Sequence, residues 1–232
     1  MNVIGIIGAM DEEVSILVDL MDIRETIKKA SLEFYKGILK GKNVVLVKCG
    51  IGKVNSALCA QILISEFKVD AIVNTGVAGA LNEKLDVNDI VISTDAIQYD
   101  VDTTAFGDPK GVIPRMKTSV FKADERLIDA AYKSSVEEVK THKVLKGRVV
   151  TGDKFINSKE LKEELVNDFG GYCGEMEGGA IAHVCYLNNT PFVIIRAMSD
   201  KADGSADVTY DVFVHDAANN SKDIVLNMLK SI

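Results

Sequence analysis

Apolar residues fall along the chain in short continuous runs separated by stretches of helical spacing. Residues 2–8 form a short β-branched run closed by Gly8, and from Asp11 onward Val14, Leu17 and Val18 recur on one helix face. This pattern of strand, turn and helix repeats where residues 44–48 lead through Gly50-Ile51-Gly52 into a segment placing Val54, Ala57, Leu58 and Ile62 on one face. Ala71-Ile72-Val73 running into Thr75-Gly76-Val77-Ala78-Gly79 reads as a third instance. Further apolar runs predict strands at 89–93, 144–151 and 192–198, and helical spacing predicts helices near 124–138, 159–167 and 177–187. Thr209 is placed to cap a last helix, with Asp211 in its first turn and Ile224, Val225 and Met228 on its packing face.

Strands that alternate with helices, several of them continuously apolar, predict a sheet covered on both faces. The expected fold class is α/β: one three-layer α/β/α domain over residues 1–232, around a central mixed, mostly parallel sheet. No shift in composition divides the chain. The long irregular stretch 106–119 holds Gly107, Pro109, Gly111 and Pro114, and a loop of that length predicts a functional or subunit contact.

Composition narrows the classes of function. The 232 residues are 47% hydrophobic and 26% charged with three prolines, the balance of a compact chain with one core. A formal charge of -7 repels nucleic acid and anionic lipid, so no nucleic-acid partner is expected. The apolar start lacks a basic leader and runs into Asp11-Glu12-Glu13, so it reads as a buried strand rather than a signal peptide. No apolar run approaches the ~18 residues that cross a bilayer. Cys49, Cys59, Cys173 and Cys185 form no C-x-x-C pair and are expected as reduced, buried thiols of a cytoplasmic protein. His142, His183 and His215 lie far apart, and neither a metal nor a cofactor is expected.

In an open α/β sheet the carboxyl ends of the strands face the ligand crevice, which singles out Glu13, Glu177 and Asp200. Each acid also has a purely structural explanation. Asp11, Glu12 and Glu13 suit the positive end of a helix. Glu175 and Glu177 are two apart, roughly 200° on a helix, so only one of them is expected in the crevice. Asp200, ahead of Lys201, suits a cap or a surface ion pair. Gly50-Ile51-Gly52-Lys53-Val54 lacks the spacing and the hydroxyl of a phosphate loop, and Gly5-Ile6-Ile7-Gly8 falls inside a strand, unlike a dinucleotide fingerprint. Phe106, Phe155 and Tyr210 are core residues by default, yet lie in or beside polar, turn-like segments.

The motifs taken in order are Gly5-Ile6-Ile7-Gly8-Ala9-Met10 with Glu12-Glu13, Gly50-Ile51-Gly52-Lys53-Val54, Asn74-Thr75-Gly76 and Thr104-Ala105-Phe106-Gly107. Then follow Gly152-Asp153-Lys154-Phe155-Ile156-Asn157, Glu175-Met176-Glu177 and Arg196-Ala197-Met198-Ser199-Asp200. This series resembles the 5'-methylthioadenosine/S-adenosylhomocysteine nucleosidase family of the purine nucleoside phosphorylase superfamily, and the likeness runs from the first strand to the last helix. The resemblance implies hydrolysis of the N-glycosidic bond of 5'-methylthioadenosine and S-adenosylhomocysteine, with 5'-deoxyadenosine as a further substrate, in methionine salvage. It implies that Glu13 is the general base, that Glu177 binds the ribose hydroxyls, and that Asp200 with Ser199 handles N7 of adenine.

By the same resemblance Phe155 stacks on adenine, the backbone of Ile156 reads the purine edge, Gly79 lies close to the ligand and Met176 lies against the ribose. Arg196 is the evident cation of the motifs. Met10, Ile51 and Tyr210 surround the 5' substituent, and Phe106 and Pro114 reach it from a second subunit, which implies a homodimer. Two positions depart from the pattern: Val77 stands where a serine is expected, and Tyr210 where close relatives often carry phenylalanine. The alternatives at this stage are a purine nucleoside phosphorylase, a nucleoside-binding domain without turnover, and the related futalosine hydrolase and AMP nucleosidase activities, the sequence showing no evident basic cluster for a 5'-phosphate.

Overall fold

The structure, a computed structural model, describes residues 1–204 and 206–232, and only the backbone of 206–209 and 211. The first half of the chain forms β1 (Val3–Gly8), α1 (Asp11–Asp19), β2 (Asp22–Lys29), β3 (Leu32–Leu39), β4 (Lys42–Lys48), α2 (Lys53–Ser65), β5 (Ala71–Ala80) and β6 (Ile90–Gln98). A single 3₁₀ turn (Thr104–Phe106) opens the long loop. After it come β7 (Val120–Lys122), α3 (Glu125–Glu138), β8 (Val144–Thr151), α4 (Lys159–Phe169), β9 (Gly171–Glu175), α5 (Gly178–Asn188), β10 (Phe192–Asp200) and α6 (Ala206–Met228).

All ten strands belong to one mixed sheet. Parallel pairing joins β4, β1, β5 and β10, and separately β6, β8 and β9. Antiparallel pairs of β10 with β6 and of β5 with β9 then close β5, β10, β6, β8 and β9 into a ring. Strands with neighbours on both edges and helices over their faces need apolar side chains on both sides, which is why β1, β5 and β10 are buried nearly throughout. The α/β class and the mixed sheet are as the sequence leads one to expect. Helices α1 and α3 pack on α6, and α2 packs on α5. No described helix is long and apolar enough to cross a membrane.

Three local expectations are overturned. Residues 74–80 do not turn into a helix but continue β5, because β10 pairs with that strand from Ile72 to Gly79. The last helix begins at Ala206, so Thr209 lies within its first turn instead of capping it. The expected inner face of α2 is also displaced: Ser56, Cys59, Ala60 and Leu63 are buried, while Val54 and Leu58 remain 79% and 45% exposed.

Candidate active site

The carboxyl ends of β1, β5, β8, β9 and β10 converge on a cavity of about 540 Å³. Its walls carry Glu13, Glu175, Glu177 and Asp200, all buried. A second hollow of similar size, between α3 and the end of α6, is lined by Arg126, Asp129, Lys133 and Glu137 and holds none of these acids.

Glu13 stands in the first turn of α1 and folds back over the chain that precedes it. Its Oε2 accepts from the N–H of Ala9 at 2.5 Å and of Met10 at 3.1 Å, and its Oε1 accepts from Val77 N–H at 3.0 Å. A Cβ on Gly76 would lie 2.4 Å from Oε1, so β5 needs glycine there to admit the carboxylate. Burial pushes the Glu13 carboxyl above its ordinary range, against the pull of Arg196 and the three N–H donors.

Asp200 owes its placement to a bulge. The pairing of β10 with β5 slips between Met198 and Asp200, so Ser199 and Asp200 both face the cavity instead of alternating. Ser199 Oγ donates to Asp200 Oδ2 at 2.9 Å, and Ala202 N–H donates to Oδ1 at 2.7 Å. Burial nonetheless raises the Asp200 carboxyl, which favours its protonated form.

Glu177 precedes α5, and its Oε1 accepts from Gly52 N–H at 2.8 Å, at the start of α2. Burial, followed by the charge of Glu175, pushes its carboxyl up to about 8. Glu175 does not turn away as the two-residue spacing predicts. Residues two apart share one face of an extended chain, unlike a helix, and both acids line the cavity where β9 ends. Glu175 pairs with Arg196, which is 2% exposed, lies behind the cavity lining rather than in it, and also donates to Asn74 Oδ1 at 2.6 Å.

The rest of the wall is largely apolar. Met10, Ile51, Gly79, Phe155, Ile156, Met176 and Tyr210 all line it, as do Val77 and Lys154. The Tyr210 hydroxyl meets Met10 Sδ at 3.1 Å, and its ring stands edge-on to Phe155 with centroids 5.9 Å apart. Phe106 and Pro114 lie outside the cavity and are exposed, Phe106 at 89%. Among the described residues no group of three or more His, Cys, Asp and Glu is arranged to hold a metal ion.

The profile of the Phosphorylase superfamily matches residues 3–230. A 5'-methylthioadenosine/S-adenosylhomocysteine nucleosidase of Staphylococcus carnosus is 45% identical over 230 residues, covering 99% of this chain and 100% of that one. The chain belongs to that nucleosidase family. The nucleosidase of Neisseria meningitidis, solved in complex with methylthio-immucillin-A, superposes with a TM-score of 0.95 at 40% identity over 100% of both chains. The futalosine hydrolase of Helicobacter pylori superposes nearly as well, with a TM-score of 0.94 at 33% identity over 100% of this chain and 98% of that one. Lys154 is the sole basic residue of this family member's cavity wall among the described residues. Sequence reading passed over it, although it stands inside the Gly152–Asn157 motif. A lone lysine beside a turn carries no periodic signal.

Proposed function

We infer that this chain hydrolyses the N-glycosidic bond of 5'-methylthioadenosine and S-adenosylhomocysteine, releasing adenine and the thio-substituted ribose. The observation that carries this reading is the convergence of Glu13, Glu177 and Asp200 on one cavity with an apolar end. Cleavage moves the bonding pair from C1' to N9, building positive charge on the ribosyl ring and negative charge on the base. A protonated Asp200 delivers a proton to N7 as that charge develops, and its raised pKa holds the proton available. Glu13, fixed by three N–H donors, takes a proton from the water whose oxygen bonds to C1'. Glu177 binds the ribose hydroxyls, holding the ring in the attack geometry.

Phe155 stacks on the purine, Ile156 and Gly79 border its edge, Ser199 orients Asp200, and Met176 lies under the ribose. Met10, Ile51 and Tyr210 take the 5' substituent, where an uncharged thioether gains by leaving water. Val77 offers an apolar side chain where a hydroxyl would assist phosphate, and Glu13 in the ionised form a general base requires repels an anionic nucleophile. Both features favour water over phosphate. Arg196 acts from behind the wall, through Glu175 and the field at Glu13.

The reading extends to a cytoplasmic homodimer serving methionine salvage, with Phe106 and Pro114 closing the partner's cavity and 5'-deoxyadenosine as an additional substrate. Its support is a set of exposed apolar residues that includes Phe106, Val54 and Leu58 on α2, and Leu187 on α5 at 62%. The test is product analysis in phosphate-free buffer. Adenine and a free sugar from 5'-methylthioadenosine are expected, and release of adenine only after phosphate is added would overturn the reading.

A further inference from the structure

The acid that sequence reading set aside is the most heavily bonded side chain at the ribose end of the cavity. Glu175 Oε2 accepts from Glu177 N–H at 3.1 Å, from Gly178 N–H at 2.6 Å and from Arg196 Nη2 at 2.5 Å. Its Oε1 accepts from Thr151 Oγ1, and that same hydroxyl accepts from Gly179 N–H at 2.6 Å. One carboxylate therefore ties together the end of β8, the start of α5 and the buried guanidinium of β10. The residue whose backbone it holds is Glu177 itself.

We propose that Glu175 is a positioning residue for the ribose end of the site: it pins the backbone that carries Glu177 and neutralises the buried Arg196. The first act is geometric. Glu177 sits between two anchors, its own N–H on Glu175 and its carboxylate on Gly52 N–H, so its reach toward a sugar is set by both. The second is electrostatic. The charge of Arg196 pulls down the carboxyls of Glu13 and Glu177, and Glu175 opposes that pull at Glu177. The charged and titratable groups that face this pair are Arg196 on β10, Glu13 on α1, Cys49 after β4, Cys173 on β9 and Tyr99 after β6. The charges that act on Asp200 are those of Asp203 and Lys162 rather than Glu175 or Arg196, so it serves as an internal control.

This inference rests on the proposed hydrolysis, and two substitutions separate its parts. Glu175→Gln keeps the acceptor for both N–H groups and Arg196, while removing the charge and the acceptor of the Thr151 hydroxyl. Glu175→Asp keeps the charge and withdraws it by one methylene from the N–H groups it holds. The experiment is the pH profile of kcat/KM for 5'-methylthioadenosine in the wild type and both variants, with melting temperatures alongside. Glu175→Gln is expected to move the acid limb to lower pH by about one unit while the alkaline limb, set by Asp200, stays in place. Glu175→Asp is expected to raise KM about tenfold or more with both limbs unmoved, since a misplaced ribose contact costs binding and orientation together. Equal loss in both variants with no shifted limb, or wild-type KM in Glu175→Asp, would reduce Glu175 to a stabilising residue and overturn the proposal. Should Glu175→Gln not fold, Glu175→Asp decides the geometric half alone. Turnover by the wild type in the same series reports on the hydrolase reading itself, so the two failures are distinct.

Discussion

At the scale of single residues, burial is the instrument that makes three ordinary acids useful. Asp200 is raised by loss of water and then tuned by two donors, so it holds a proton at a pH where an exposed aspartate would not. Asp200→Asn should therefore lower kcat roughly a hundred- to ten-thousand-fold while calorimetric affinity for a nucleoside analogue stays near that of the wild type. Near-normal turnover would remove Asp200 from the chemistry. Glu177 carries the opposite side of the same physics. Its carboxyl is raised from 4.5 to about 8, so in that interval the folded chain holds a proton that the unfolded chain releases. Stability is therefore lost as the pH climbs from 4.5 toward 8, and the full cost of the buried charge is carried above it. Glu177→Gln should melt above the wild type at alkaline pH, with a gap that closes toward pH 4.5, at the loss of activity. A gap that does not change with pH would refute the linkage.

At the scale of elements, β5 and β10 place the chemistry by irregularity. Gly76 in β5 leaves room for Glu13, and the bulge in β10 turns Ser199 and Asp200 inward together. Gly76→Ala should displace the Glu13 carboxylate from Val77 N–H, destabilise by about 1–3 kcal/mol and lower kcat more than it changes KM. A thermal melt and steady-state rates check this together, and an unaltered kcat would show that the carboxylate finds its place without Gly76. These elements also show where the sequence was legible. Continuous apolar runs announced β1, β4, β6, β8 and β10, and helical spacing announced α3, α4 and α5 within a few residues. The charged β2, with its exposed outer edge, gave no apolar signal, and neither did the short β7 and β9. In β5 the glycines imitated a turn, because close approach of a carboxylate and tight bends ask for the same residue. The strand-end rule singles out the three acids as a set, and the order of their motifs is what sets them above their structural explanations. Spacing alone leaves Glu13 to the helix dipole and, read as helical, Glu175 outside the site, whereas along an extended chain residues two apart share a face. Lys154 and the burial of Arg196 depend on tertiary placement that no local pattern encodes.

At the scale of the whole molecule, a ring of strands closes one end of the sheet and gathers the functional ends of five strands around one cavity. Among the apolar residues left exposed, Val54, Leu58, Leu187 and Phe106 are those the proposed homodimer would cover. Sedimentation should give a dimer, and Leu58→Glu should weaken it and raise KM for thioether substrates by removing the partner's Phe106 from the cavity mouth. A monomer with undiminished activity would separate catalysis from assembly. The most direct test of the central claim is a single turnover of 5'-methylthioadenosine in isotopically labelled water, with mass spectrometry of the sugar. Water activated by Glu13 predicts one labelled oxygen at C1 of a free methylthioribose and a slowed reaction in Glu13→Gln. A sugar phosphate, or a rate untouched by Glu13→Gln, would contradict the account.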